Sequence, residues 1–299
     1  MKKLLFFFTI TIYTAIVSTT LAQENLAIGE CQTYSPMISS YVAVAQSSET
    51  VYFATKQAIV TVDKTDNSLG YITRVSGLND THINRLGYNE ATKTLLVCYE
   101  NGNLDLVAND GKITNIADIK RASVAGTHTV YNIFNKGTEA WLACSFGLVR
   151  LDIVNQQVIS TTFTPTSQTR SFTILNDTLW LATRSGIYWA KPTTNLLDFG
   201  AWQRLPIRIN YSCKQLTSFN GKLVASINDS IFIRQTNGWD FLHTVGDIDE
   251  YRALDASNDH ILTLASRGSD RCIVHYIYAD GQVDTPAIIN NVGDCSQVI

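Results

Sequence analysis

The stretch LWLATRSGIYWA (179–190) reads as two apolar runs joined by a tight turn at Arg184-Ser185-Gly186, the pattern of a β-hairpin. VCYENGNLDLV (97–107) and WLACSFGLVRLD (141–152) have the same grammar. Aligned on the small residue near the end of the first run, the chain holds six copies, at Ala54, Cys98, Cys144, Ala182, Ala225 and Ala265. The intervals are 44, 46, 38, 43 and 40 residues, the repeat length of a propeller blade. The preceding column, Phe53, Val97, Ala143, Leu181, Val224 and Leu264, is apolar throughout. The following column is Thr55, Tyr99, Ser145, Thr183, Ser226 and Ser266, each with a hydroxyl.

Each copy is flanked by a strand before it, such as SFTILN, and by third and fourth strands after it, such as NLDLV and KITNI. Gly, Asn and Asp stand between the runs, where turns need φ > 0 or a side-chain hydrogen bond. No helical periodicity of useful length follows residue 23. The fold class expected is all-β: a β-propeller of six complete four-stranded blades over about 39–289 plus pieces of a seventh. A β-sandwich has a similar strand count but does not repeat every four strands. The seventh blade would be assembled from IGECQTY (28–34) and the tail VGDCSQVI (292–299), with its other strands missing, so the chain reads as a piece of a longer protein.

The first 22 residues read as a signal peptide, with Lys2-Lys3, an apolar run from Leu4 to Val17 and a small-residue cleavage pattern ending at Ala22. Residues 23–299 then form the propeller domain of an exported protein, in the periplasm or at the outer-membrane cell surface. Charged residues make up 16 % of the chain and the net charge is −3, which argues against nucleic acid as a partner.

Catalysis finds no support: there is no G-x-S-x-G, no H-E-x-x-H and no phosphate-cradling glycine loop. His82, His128, His243, His260 and His275 lack metal-ligand spacing, and Asp247, Asp249 and Glu250 lack an alternating calcium loop, so neither metal nor cofactor is expected. Cys98 and Cys144 fill a column that elsewhere holds Ala and read as small core residues, whereas Cys31 and Cys295 share the split blade and are the disulfide candidates. Asp177-Thr178 and Asp229-Ser230 resemble a Bacteroidetes O-glycosylation signal and also read as plain entries into strands. Binding groups concentrate on long loops. The longest fourth-to-first connections, 77–82 and 120–129, carry the candidate binding residues Asn79, His82, Lys120, Arg121 and His128. The basic pair suits an anionic sugar or phosphate.

GLNDTHINRL (77–86), LWLATRSGI (179–187) and FGLVRLD (146–152) resemble the short repeat of two-component-regulator propellers. A longer stretch, 92–134, with YENGNLDL and ITNIADIKRAS and followed by FGLVRLD (146–152), resembles the N-terminal propeller of the PorZ family of the type IX secretion system of Bacteroidetes. IGECQTYSPMISSY resembles that family's first strand, with Cys31 where a Trp usually stands. The resemblance implies a non-enzymatic scaffold at the cell surface in an attachment complex, with the sortase as a partner and anionic lipopolysaccharide as a ligand. The alternative is the extracytoplasmic sensor propeller of a hybrid two-component histidine kinase.

Overall fold

A computed structural model describes residues 41–164, 168–206, 211–244, 246, 250–267, 271–290 and 297. The chain divides into two compact units, Met1–Met37 and Ile38–Ile299, and the first lies outside the described residues. The expected signal peptide, the strand 28–34, Cys31 and Cys295 lie outside them as well.

The second unit holds six four-stranded antiparallel sheets, each built from strands consecutive in sequence. Blade 1 holds β1 (Ala43–Gln46), β2 (Thr50–Ala54), β3 (Ile59–Asp63) and β4 (Leu69–Ile72). Blade 2 holds β5 (Ile83–Asn89), β6 (Thr94–Tyr99), β7 (Leu104–Ala108) and β8 (Ile113–Ile116). Blade 3 holds β9 (Val130–Lys136), β10 (Glu139–Cys144), β11 (Gly147–Asp152) and β12 (Gln157–Phe163). Blade 4 holds β13 (Thr169–Leu175), β14 (Thr178–Thr183), β15 (Gly186–Ala190) and β16 (Gln203–Arg204). Blade 5 holds β17 (Cys213–Phe219), β18 (Lys222–Ile227), β19 (Ser230–Gln235) and β20 (Gly238–Thr244). Blade 6 holds β21 (Glu250–Ala256), β22 (His260–Arg267), β23 (Arg271–Tyr278) and β24 (Val283–Asn290). First strands pack on first strands, β1 on β5 and so on to β21, around a central channel.

A blade interior is covered on both faces, so its second strand has no reason to alternate. In β6 every residue is buried. Leu95, Val97 and Tyr99 point into the cluster shared with blade 1, while Leu96 and Cys98 point into the cluster shared with blade 3. An apolar cluster of this kind lies at each of the five interfaces from blade 1 to blade 6. The six aligned residues Ala54, Cys98, Cys144, Ala182, Ala225 and Ala265 are all at 0 % exposure. They sit next to the innermost strands, where the wedge between blades is narrow and a longer side chain would force the sheets apart.

Blade 4 departs from the expected grammar. Its fourth strand is the two-residue β16, reached through a 3-10 turn at Phe199–Ala201 that Asp198 caps by accepting from Gly200 N at 2.9 Å. The connection 117–129 is not all loop: Asp118–Arg121 forms one helical turn, α1, with Ile119 buried beneath it. Cys98, Cys144 and Cys213 are free and buried, and Cys272 is disulfide-bonded to a partner outside the described residues. Thr178 is only 7 % exposed and its hydroxyl is engaged by Lys191 Nζ at 2.6 Å, so Asp177-Thr178 serves as a strand entry. No helix among the described residues is long and apolar enough to cross a membrane.

Candidate functional site at the channel face

Propeller turns fall on two faces. The second-to-third turns and the fourth-to-first connections share one of them, and the candidate binding residues lie there. Asn79 caps a buried carboxylate: its backbone N–H and side-chain Nδ2 donate to Asp105 at 2.8 and 3.0 Å. Tyr99 donates its hydroxyl to the same carboxylate at 2.6 Å, and Asn115 Nδ2 donates at 2.8 Å. Asp105 is fully buried.

Lys120 is exposed but its ammonium is held by Asp80 at 2.8 Å. Asn101 Nδ2 donates to the same Asp80 oxygen at 2.8 Å. Partial burial would raise the Asp80 carboxyl, but the hydrogen bonds from Asn101 and Lys120 outweigh it and hold it down at about 2. Arg121 and His82 are exposed, while the half-buried His128 ring meets the Ala122 carbonyl at 3.0 Å. His128 also packs edge-on against Phe146, ring centroids 6.0 Å apart. Gly102 has φ +81°, and a Cβ there would fall 2.6 Å from His128 Cβ and 2.9 Å from Ile119 Cγ2. YENGNLD is therefore a clamp. It fastens the 77–82 connection and α1 to the turn between β6 and β7; of the five candidate side chains, Arg121 is the one that is exposed with no hydrogen bond or ion pair among the described residues, while the exposed His82 ring meets Thr81 Oγ1 at 3.0 Å.

The clamp lies to one side of a more strongly charged feature. In blades 2 to 6 the pairing of first and second strands slips by one residue near the start of the first strand. Each slip is a β-bulge, which leaves one residue unpaired and re-aims its side chain. The five bulge residues are Asn84, Tyr131, Arg170, Lys214 and Arg252. Four of them line a cavity of about 400 Å³ at the channel mouth, together with Arg85 and Arg184. Arg170 lies over the Tyr131 ring at 4.4 Å and donates to Gln168 Oε1 at 2.7 Å. Glu250 pairs with both Lys214 and Arg252. Burial would raise the Glu250 carboxyl, but Lys214, then Arg252 and Arg170, outweigh it and hold it below its usual range. Burial pulls Arg85 down to about 10, so it is still a cation at neutral pH.

The channel behind this mouth is a cavity of about 760 Å³, walled by residues of all six first strands. Gln297 reaches it and donates Nε2 to Leu86 O at 3.0 Å. Ser257, His260 and Asp259 cluster at its far end, with Ser257 Oγ 3.1 Å and Asp259 Oδ1 2.7 Å from His260 Nδ1. Both contacts fall on one ring nitrogen, whereas a nucleophile relay uses one nitrogen for each partner. The cluster is a hairpin turn. Glu250 is taken by two cations, and Asp247 and Asp249 lie outside the described residues. Along the sequence Arg85, Arg170, Lys214 and Arg252 are single charges on different first strands, and nothing there marks the cluster they form.

The model of the PorZ N-terminal β-propeller domain of the type IX secretion system matches residues 51–203, about half the chain and most of blades 1 to 4. Among curated proteins none matches the sequence. A solved structure of PorZ, an essential bacterial surface component of the type IX secretion system of Porphyromonas gingivalis, shares the fold with a TM-score of 0.71 and 20 % identity, over 83 % of this chain and 33 % of that one. The extracellular domain of a hybrid two component system from B. thetaiotaomicron superposes with a TM-score of 0.60 and 15 % identity, over 79 % of this chain and 33 % of that one. The chain thus spans about a third of the length of either protein. With the family model covering half of its length, the chain belongs to the PorZ N-terminal β-propeller family.

Proposed function

We propose that this propeller is a non-enzymatic scaffold and binding module of the type IX secretion system, acting outside the cytoplasm at the outer membrane in cargo attachment. Family membership over residues 51–203 is the observation that carries the reading. The sortase and anionic lipopolysaccharide are the partner and ligand this role calls for. The glycan contact is assigned to the connection 117–129 and its neighbour 77–82, with Arg121 as the leading residue because it is exposed and makes no ion pair among the described residues. Lys120 contributes less, since part of its hydrogen-bonding capacity is spent on Asp80.

The test is binding of purified anionic lipopolysaccharide to the folded protein. A charge-assisted contact is worth roughly 1.5–3 kcal/mol, so Arg121→Ala weakens binding by about tenfold or more. Lys120→Ala weakens it by less, and added salt weakens the contact throughout. Unchanged affinity in Arg121→Ala, at an unchanged melting temperature, refutes the assignment. A sensor propeller is the rival role, supported by the likeness to the B. thetaiotaomicron domain. The neighbouring reading frame separates the two: a further propeller favours secretion, and a membrane span with kinase motifs favours sensing.

A further inference from the structure

The cationic mouth continues into a second cavity of about 540 Å³ on the same face, and Arg184 lines both. This groove runs between Val124 and Ala125 of the 117–129 connection, Phe146 of the turn between β10 and β11, and Phe163 at the end of β12. Phe163 is 50 % exposed, and its ring centroid is 6.0 Å from that of Phe146. Three of the polar side chains here, those of Ser145, Thr164 and Gln168, are already engaged. Ser145 donates its hydroxyl to the Thr127 carbonyl. Thr164 Oγ1 is bonded to Thr169 Oγ1 at 3.1 Å, and Gln168 accepts from Arg170. A sugar needs unspent polar groups to meet its ring of hydroxyls. This groove instead has an apolar floor and, at one end, concentrated positive charge. Among the described residues lining the mouth, five are cations and one, Glu250, is a carboxylate.

We propose that this face docks an acidic, aromatic- or leucine-bearing peptide segment of a partner protein, its apolar side chain on Phe163 and Phe146 and its carboxylates toward Arg184 and the bulge residue Arg170. Arg184 is exposed and makes no ion pair among the described residues, so its guanidinium fork is available for a bidentate carboxylate. The bulges support the same reading, because they turn the cations of blades 4, 5 and 6 toward one mouth. An extended chain crossing from groove to mouth meets apolar surface and then charge in that order. The site does not include Lys120 or Arg121, so it stands or falls independently of the lipopolysaccharide assignment.

The probe is a library of random twelve-residue peptides displayed on phage, panned on the purified protein and counter-selected on its Arg184→Glu variant. Enriched sequences are expected to place Asp or Glu within three residues of Phe, Tyr or Leu. A synthetic enriched peptide is expected to bind wild type and to lose about tenfold or more in Arg184→Glu, and likewise in Phe163→Ser, with melting temperatures unchanged. Both side chains are exposed, so neither variant threatens the fold; if Phe163→Ser lowers the melting temperature, Arg184→Glu alone decides. Enrichment of neutral or basic peptides overturns the proposal, as does no enrichment or equal affinity for Arg184→Glu. A phosphorylated oligosaccharide that binds in an Arg184-dependent way, where no acidic peptide does, also overturns it and gives the mouth to a glycan.

Discussion

Replacing Asp105 by Ala should loosen the second blade by an amount that can be worked out group by group. The carboxylate is fully buried and accepts from Asn79 N and Nδ2, Tyr99 Oη and Asn115 Nδ2. The donors differ in what they lose. Asn79 and Asn115 are exposed, so their amides turn to water at little cost. Tyr99 is at 0 % exposure, and its hydroxyl is left without its acceptor. A buried unsatisfied donor costs about 1–3 kcal/mol, and losing the tie to the Asn79 backbone adds about 1 kcal/mol. A loss of about 3 kcal/mol results. In a domain of this size each kcal/mol moves the melting temperature by roughly 2–4 °C, so a fall of about 6–12 °C is expected by circular dichroism. Asp105→Asn should fare little better, because its amide nitrogen would face donors. Adding Tyr99→Phe to Asp105→Ala should recover part of the loss, since removing both partners of a buried hydrogen bond costs less than removing one. A fall below 2 °C for Asp105→Ala, or a double variant as unstable as the sum of the singles, would refute this account of the clamp.

Gly102→Ala should destabilise by about 2–4 kcal/mol, combining left-handed backbone strain with a Cβ forced against His128 and Ile119, and hydrogen exchange should rise across 117–129. Unchanged exchange there would mean the connection is not held by the turn. Ala182→Leu should cost about 1–3 kcal/mol by overpacking the interface of blades 4 and 5; a neutral effect in denaturant unfolding would show that the column is not a wedge position. Burial holds His243 and His275 below the ordinary value of 6.5, and for His275 the neighbouring His243 lowers it further. The unfolded chain therefore takes up protons first, and stability complete above pH 6.5 is lost as the pH falls through the lower folded values. His275→Gln should flatten the dependence of melting temperature on pH between 7.5 and 5.5, and an unaltered slope would count against it.

The repeat could be read because burial is symmetric about each second strand. TLLVCY in β6 is apolar at every step since both of its faces meet a neighbouring blade, and six such runs at one spacing leave few other folds. The fourth strands are different. They are outermost, half exposed and loosely specified, so β16 shrinks to two residues behind a 3-10 turn that the Asp198 cap, not any alternation, produces. The helical turn α1 escaped for a related reason: four residues give no period, and Ile119 is its only buried side chain. Lys120 and Arg121 were legible as a basic pair on a long connection, but not their unequal freedom. That depends on Asp80, 40 positions away along the chain and 2.8 Å away in space.

The mouth of the channel was hidden by a different rule. A bulge is a statement about pairing: one strand carries an extra residue relative to its partner, and neither strand alone shows which residue it is. Here an extra residue recurs near the start of the first strand in five successive blades. Its identity changes around the ring, from Asn84 and Tyr131 in blades 2 and 3 to Arg170, Lys214 and Arg252 in blades 4, 5 and 6. Read along the chain, those cations are single charges about forty residues apart. Folded, they form an arc in which, among the described residues, the Glu250 carboxylate stitches two of them together. A fold that required only shape at this depth could place a neutral residue at each bulge, as blades 2 and 3 do. Keeping three cations in the arc therefore marks the mouth, more than the clamp beside it, as the part of this face whose chemistry exceeds the needs of the fold.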